Sequence, residues 1–172
     1  VTIHRGTLGG GTGRTIVGKN CLLMAYVHIG HDCLLGDSII MANNASVAGH
    51  VVVGDYANFG GYSGVPQFRS IGENTHIAAM SLVTKDVPAF MTVAGNPASA
   101  VGLNLEGMRR RDFSTDALAA LKESHKIVYR SGLTKNKALN RLAELRSKYS
   151  EVEKFARSIE SSESGIVRGR SH

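Results

Sequence analysis

The chain has 172 residues, of which 42% are hydrophobic and 20% are charged, which is the balance of an ordinary globular protein. No apolar run approaches the roughly 18 residues of a membrane span, and Cys21 and Cys33 form no CxxC pair, which disfavours a zinc cluster or a disulfide framework and favours a reducing cytoplasm. The formal net charge of +6 predicts an anionic partner: a phosphate, a nucleotide, an acidic protein or nucleic acid.

The first element along the chain is part of a repeat. The chain opens at Val1 rather than at Met, and Ile3 fits the apolar position of a six-residue unit, so we expect N-terminal coils to be missing. The glycine-rich LGGGTG, residues 8 to 13, then lies in an inserted loop of about eight residues. No strand-to-helix context follows it, so a flexible loop is favoured over a phosphate cradle.

A six-residue repeat occupies the chain from Val17 to Val83. A large apolar residue recurs at every sixth position, usually followed by Gly or Ala, and the fourth residue after it is mostly small or β-branched. A helix would show a period of 3.6 and a simple strand a period of 2, so neither describes this stretch. The repeat predicts a left-handed parallel β-helix in which three hexads form one coil and Gly or Ala relieves the corner.

Arg69 interrupts this pattern, because it occupies an inward position where a small residue is expected. A local bulge after Pro66 would turn the Arg69 side chain outward.

The repeat ends after VAGNPA, residues 93 to 98, and the composition becomes helical. We therefore divide the chain into a β-helix, residues 1–103, and a small C-terminal α-helical domain, residues 104–172. Ser114 begins a helix that runs to about Arg130, with Gly132 as its stop signal.

Two further helices are predicted beyond Gly132. Thr134 opens one that carries Leu139, Leu142 and Leu145, and Ser150 with Glu153 forms a capping box for the other. The final stretch, SSESGIVRGRSH at residues 161 to 172, is expected to fray.

The segment HIGHDC, residues 28 to 33, concentrates the chemistry of the β-helix. Residues 18 apart stack on neighbouring coils, so His31 is followed by Gly49, Gln67 and Lys85 along one outward corner. His28 and Asp32 flank His31, and His50 flanks Gly49. The residues alone leave open a solvated corner histidine, a metal site and a general base beside a backbone N–H that stabilises an oxyanion. The metal interpretation is disfavoured, because His28 and His31 are not on a helix.

Several sequence motifs allow a more specific interpretation. VTIHRGT, NCLLMAYVHIGHDC, MANNASVAGHV, VAGNPA and GLNLEGMRRRDF resemble the acyl-[acyl-carrier-protein]–UDP-N-acetylglucosamine O-acyltransferases of lipid A biosynthesis, a family of hexapeptide-repeat acyltransferases. The resemblance implies a cytoplasmic homotrimer that transfers a 3-hydroxyacyl chain from acyl carrier protein to the 3-hydroxyl of UDP-N-acetylglucosamine. It implies no cofactor held by the protein, because the donor brings its own phosphopantetheine arm, and no metal.

The resemblance also assigns roles to residues. His31 matches the general base, Gly49 the oxyanion donor, and Asp32 a group that orients His31, while His28 matches a residue that positions the sugar. Further matches contact the nucleotide or the phosphopantetheine arm: His50, Gln67, Asn104, Glu106, Arg110 and Arg111.

Two positions carry further implications of the resemblance. Ala79 matches a residue that measures acyl-chain length, and a small residue there predicts a medium or long chain. Pro66 stands where the family commonly has His, which removes one polar contact near Gln67.

Four alternatives remain. The chain could be a related N-acyltransferase, a CoA-dependent acetyltransferase on the same solenoid, or a non-catalytic trimeric scaffold. Nucleic-acid binding is the fourth, but it rests on charge alone, and the sequence shows no aromatic platform or recognition motif for it.

Overall fold

The computed structural model describes residues 1–169 and contains a parallel β-helix followed by helices. Three sheets form the faces of the prism. The first face, sheet A, holds β1 (Thr2–Ile3), β4 (His28–Ile29), β7 (Ser46–Val47) and β10 (Gly64–Val65). Sheet B holds β2 (Ile16–Val17), β5 (Leu34–Leu35), β8 (Val52–Val53) and β11 (Ser70–Ile71). Sheet C holds β3 (Leu22–Leu23), β6 (Ile40–Met41), β9 (Asn58–Phe59), β12 (His76–Ile77), β13 (Met91–Ala94) and β14 (Ser99–Leu103).

The predicted stacking of residues 18 apart is confirmed. Ile29 pairs with Val47, and Val47 pairs with Val65, in parallel register. The second residue of these strands points into the prism, and Ile29 and Val47 are completely buried. Burial of this apolar ladder stabilises the stack by roughly 25 cal/mol per Å² removed from water. A parallel β-helix is therefore confirmed, while its left-handed sense remains a prediction.

The corners differ in detail from the prediction. The residue that takes the left-handed backbone conformation is not the Gly after the apolar residue but the residue two positions later, such as Asp32, His50 and Phe68, with φ values of 59°, 60° and 61°. Gly30 is instead needed because neighbouring coils approach closely: an added Cβ would lie 2.5 Å from the carbonyl carbon of Ala48. Glycine in this repeat thus permits close stacking of coils.

The inserted loop lies where the sequence placed it. Ile3 pairs with Ile29, a separation of 26 residues rather than 18, so eight extra residues leave the prism between β1 and β2. The loop returns to the prism at Ile16, whose N–H donates to the Cys33 carbonyl.

The last coil is shorter than the repeat predicts. Val83 still donates to the Gly64 carbonyl, but Val87 bridges to Ile71, a separation of 16 residues. The prediction that Lys85 continues the corner ladder is therefore wrong. The Lys85 ammonium instead donates to the Ser164 carbonyl at 2.9 Å.

Up to residue 169, five helices follow the last strand: α1 (Leu105–Arg109), α2 (Thr115–Arg130), α3 (Lys135–Arg141), α4 (Ala143–Lys148) and α5 (Ser150–Glu160). The prediction for α2 is confirmed, since the Ser114 hydroxyl accepts from the Ala117 N–H at 3.1 Å and Gly132 follows with φ 68°. The second predicted helix is divided in two at Leu142. α5 packs on α2 and α4.

Two predictions for the C-terminal part are wrong. The capping box fails because Tyr149 is the N-cap of α5, while the Glu153 carboxylate turns to the Arg146 guanidinium at 2.7 Å. The predicted fraying from residue 161 onward does not hold for residues 165–168. There the Val167 N–H donates to the Asp86 carbonyl, and the Arg168 carbonyl accepts from the Ala100 N–H. Residues 170–172 lie outside the described part of the chain.

Within residues 1–169, no helix is long and apolar enough to cross a membrane.

Candidate active site

The candidate site lies at the corner between sheets A and B, where the turns after β4 and β7 stack. The His50 N–H donates to the His31 carbonyl at 2.9 Å, which fixes one turn directly above the other. This stacking brings His31, Asp32, Gly49 and His50 together, as the sequence predicted. A cavity of about 340 Å³ opens in front of His31. It is lined by His4, Arg5, Gly6, Thr7, Leu8 and His31.

His31 and Asp32 form a hydrogen-bonded pair. The His31 Nδ1 lies 2.9 Å from the Asp32 Oδ2, and the Asp32 side chain is buried while that of His31 is 40% exposed. The hydrogen bond from the Thr7 hydroxyl is the main reason why the pKa of Asp32 lies well below its usual range. Burial acts to raise this pKa, whereas hydrogen bonds from His31 and from the Thr7 and Gly13 amides lower it further. Asp32 is therefore a carboxylate that accepts the Nδ1 proton. The tautomer that satisfies this bond leaves the His31 Nε2 lone pair free to accept a proton.

Gly49 lies against the imidazole of His31. A Cβ added at Gly49 would stand 2.6 Å from both Cε1 and Nε2 of that ring. Among residues 1–169, no acceptor is hydrogen-bonded to the Gly49 N–H. A buried amide beside a proton acceptor has the arrangement needed to stabilise a developing oxyanion.

Aromatic rings surround this pair. The His50 ring meets the His31 ring edge-on with centroids 4.9 Å apart, and its other side stacks on Phe68 at 4.6 Å. His28 lies on sheet A with its ring 5.0 Å from that of His4. Gln67 is exposed on the next turn of the same corner. The corner thus presents polar side chains and π surfaces together.

The inserted loop is anchored to the site at both of its ends, by hydrogen bonds from Thr7 and Gly13 to Asp32, and its flexibility between these two residues stays a prediction. The Thr7 hydroxyl donates to Asp32 Oδ2 at 2.7 Å, and the Gly13 N–H donates to Asp32 Oδ1 at 2.9 Å. Sequence reasoning missed both residues. The signal available was the VTIHRGT motif, which places Thr7 at the entrance of the loop.

The remaining predicted contact residues lie on a different face. Asn104, Glu106, Arg110 and Arg111 surround α1 and line a cavity of about 470 Å³ on sheet C. Asn104 caps α1 by accepting from the Gly107 N–H at 3.1 Å. Within the described chain this cavity shares no lining residue with the cavity at His31. One copy of the chain therefore does not bring the two groups together.

The two arginines of α1 differ in their freedom. Arg110 pairs with Glu106 at 2.9 Å, and both side chains are exposed. Arg111 donates to the carbonyls of Gly107 and Tyr56, and its guanidinium lies 4.8 Å from the centroid of the Tyr56 ring. Arg111 is held in one orientation, whereas Arg110 is free to exchange Glu106 for a ligand phosphate.

Three other predicted positions also have defined places. Ala79 is exposed in the turn after β12, outside both cavities. Pro66 lies in its corner without a bulge, because β10 and β11 keep their registers with β7 and β8. The bulge that would have turned Arg69 outward is therefore absent from this part of the chain. The Arg69 side chain stays 21% exposed, with Nη1 4.0 Å from the Asp86 carboxylate.

The ligand atoms of His31, Asp32 and His50 lie within 4.8 Å of one another, a spacing that a metal ion could bridge. The two oxygens of Asp32, however, already accept bonds from Thr7, Gly13 and His31. The donor set fits a hydrogen-bonded dyad better than a metal site, which needs free ligand lone pairs. The expected absence of a metal stays a prediction.

The chain is similar to known proteins along almost its whole length. Residues 86–167 match the model of the second domain of UDP-N-acetylglucosamine O-acyltransferase. A relative from Ectopseudomonas mendocina, named acyl-[acyl-carrier-protein]–UDP-N-acetylglucosamine O-acyltransferase, is 49% identical over 98% of this chain and 65% of its own length. The chain thus spans somewhat less than two thirds of such relatives.

Solved structures agree with the sequence comparison. The UDP-N-acetylglucosamine O-acyltransferase of Moraxella catarrhalis superimposes with a TM-score of 0.94 at 45% identity, covering 96% of this chain and 64% of that one. A structure of the corresponding Acinetobacter baumannii protein gives 0.92 at 44% identity, with coverage of 96% and 64%.

Proposed function

We propose that this chain performs the reaction of the acyl-[acyl-carrier-protein]–UDP-N-acetylglucosamine O-acyltransferases, since it is 49% identical to one of them over 98% of its own length. It would transfer a 3-hydroxyacyl chain from acyl carrier protein to the 3-hydroxyl of UDP-N-acetylglucosamine, the first step of lipid A biosynthesis. The observation that carries this proposal is the His31–Asp32 pair, whose Nδ1–Oδ2 bond of 2.9 Å leaves Nε2 available beside the buried Gly49 amide.

The residues suggest the following chemistry. His31 Nε2 takes the proton of the sugar hydroxyl as the oxygen attacks the thioester carbonyl. The Gly49 N–H donates to the oxyanion of the tetrahedral intermediate. The intermediate then collapses, the carbon–sulfur bond breaks, and the proton on His31 passes to the departing thiolate of the phosphopantetheine arm. Asp32 does not touch the substrate; it keeps Nδ1 protonated and Nε2 directed outward.

The nucleotide contacts require a second copy of the chain. Because Arg110 and Arg111 line a cavity separate from the one at His31, we propose a homotrimer in which one copy supplies the dyad and its neighbour supplies α1. Arg110 would bind a phosphate oxygen, with Asn104 and Glu106 beside it. From the corner, His28 would position the sugar, and His50 and Gln67 would contact the nucleotide or the phosphopantetheine arm.

The donor protein accounts for the charge of the chain. A net charge of +6 favours an acidic carrier protein through long-range attraction, which speeds encounter. The phosphopantetheine group arrives covalently on that carrier, so the proposal includes no cofactor held by this chain. The free thiols Cys21 and Cys33 support a cytoplasmic location as a further part of the proposal.

A donor and acceptor panel tests the proposed function. The chain is mixed with UDP-N-acetylglucosamine or its 3-amino analogue as the acceptor and with a 3-hydroxyacyl carrier protein or acetyl-CoA as the donor, and released thiol is measured. We expect thiol release with the carrier-protein donors alone, and only when the acceptor bears a 3-hydroxyl. Release with acetyl-CoA would favour an acetyltransferase, release only with a 3-amino acceptor an N-acyltransferase, and no release from a trimeric chain the scaffold.

The role of Ala79 as an acyl-chain ruler gives a separate prediction. Ala79→Met fills space at the exposed turn after β12, so we expect the preferred donor to become shorter by several carbons while the rate with short donors is kept. Ala25→Met is the matched control, since Ala25 is exposed at the same position of the corresponding turn after β3. A donor preference unchanged in Ala79→Met would contradict the ruler role.

A further inference from the structure

We propose that Thr7, on the inserted loop, is a positioning residue that orients the Asp32–His31 pair for proton transfer. The inference deepens the proposed function and rests on it, because the consequence of the orientation is measured as acyl transfer.

Thr7 contacts Asp32 through two of its groups, the side-chain hydroxyl and the backbone N–H. The Thr7 hydroxyl donates to Oδ2 at 2.7 Å, and the Thr7 N–H lies 3.0 Å from the same oxygen. The Gly13 N–H donates to Oδ1, and Asp32 in turn donates its own N–H to the Thr15 hydroxyl at 2.9 Å. Residues at both ends of the inserted loop are thus hydrogen-bonded to the buried Asp32.

Comparison along the corner indicates that the loop determines where Asp32 points. His50 and Phe68 occupy the equivalent positions on the next two coils with nearly the same φ, yet their rings stack on each other at the surface. Only Asp32 has an inserted loop above it. An added Cβ at Gly11 would lie 2.6 Å from the Asp32 Cγ, so the loop covers the carboxylate closely.

This arrangement limits how Asp32 can meet His31. The loop occupies several lone pairs of the Asp32 carboxylate. The lone pair that remains on Oδ2 points at His31 Nδ1. Without the Thr7 hydroxyl, the carboxylate gains freedom to rotate, and Nε2 loses its fixed direction.

The experiment compares Thr7→Val, which removes the hydroxyl at nearly constant volume, with Thr7→Ser, which keeps it. Thr12→Val is the matched control, because the Thr12 hydroxyl donates to the Arg14 carbonyl in the same loop and does not touch Asp32. Each variant is measured for kcat, KM and the pH dependence of acyl transfer, and the His31 ring nitrogens are titrated by NMR. The other titratable groups facing His31 are His50, His4 and Arg5, and they are unchanged in all variants.

For Thr7→Val we expect kcat to fall about tenfold at unchanged KM, the size of effect given by losing one hydrogen bond to a charged group. The NMR signals of the His31 ring nitrogens should also move relative to those of the unmodified chain, because the hydrogen bond at Nδ1 is no longer held in one direction. Thr7→Ser and Thr12→Val should both match the unmodified chain.

The proposal is overturned if Thr7→Val matches Thr12→Val in both kcat and the His31 titration. It is also overturned if Thr7→Ser loses as much activity as Thr7→Val, since the hydroxyl would then not be the cause. If the unmodified chain transfers no acyl group, the proposed function fails. The NMR titration still decides whether Thr7 orients the Asp32–His31 pair.

Discussion

Replacing His31 with Gln is expected to reduce the rate of acyl transfer by roughly 10²–10⁴, the usual contribution of a general base. Gln keeps a polar group near Asp32 but offers no atom that can accept the hydroxyl proton at neutral pH. The side chain is 40% exposed at a corner and outside the apolar core, so the fold should be unaffected. The measurement is kcat with saturating donor and acceptor, together with the thermal unfolding midpoint.

His28→Gln provides the control for this loss. His28 lies on the outward side of β4 and its ring contacts His4 rather than Asp32. We expect a higher KM for the sugar nucleotide and a pH profile whose limbs stay in place. A kcat for His31→Gln within threefold of the unmodified chain would remove His31 from the mechanism.

Gly49→Ala is expected to reduce kcat by about 10²–10⁴, the contribution of a general base, because the new side chain displaces the imidazole of His31. The variant keeps its backbone N–H, so the loss arises from sterics: the new Cβ would stand 2.6 Å from His31 Cε1 and Nε2, and the imidazole must move out of line. Binding of either substrate away from this corner should change little.

Gly61→Ala is the matched substitution. Gly61 occupies the same place in its hexad, but a Cβ there would meet only the Asn43 carbonyl oxygen, at 3.2 Å. We expect nearly full activity from it. If Gly49→Ala and Gly61→Ala were equally active, the close packing of Gly49 on His31 would have no catalytic meaning.

The sequence predicted the β-helix well because its repeat is local and its register is simple. Ile29 and Val47 are 18 residues apart, and three hexads per coil place them in contact without any further information. The position of Lys85 was not predicted, because the last coil is two residues shorter than the others. This shortening occurs where Asp86 bridges to Ile166 of the C-terminal segment. A contact over such a sequence distance leaves no periodic signal.

The candidate site was predictable to the extent that it follows the coil. His31, Gly49 and His50 meet because of the register, whereas Thr7 and Gly13 meet Asp32 through a loop whose path no repeat describes. Capping illustrates the same limit. Ser114 caps α2 as its sequence indicates, but Glu153 prefers the Arg146 guanidinium to the end of its own helix.

A mass spectrum of the nucleotide product formed from UDP-N-acetylglucosamine and a 3-hydroxyacyl carrier protein, recorded before and after mild alkaline treatment, decides whether this chain is an O-acyltransferase. We expect a sugar nucleotide heavier by one 3-hydroxyacyl group, which mild alkali removes because the linkage is an ester. An acylated product that resists alkali would indicate an amide, and an unchanged sugar nucleotide would show that this chain is not an O-acyltransferase.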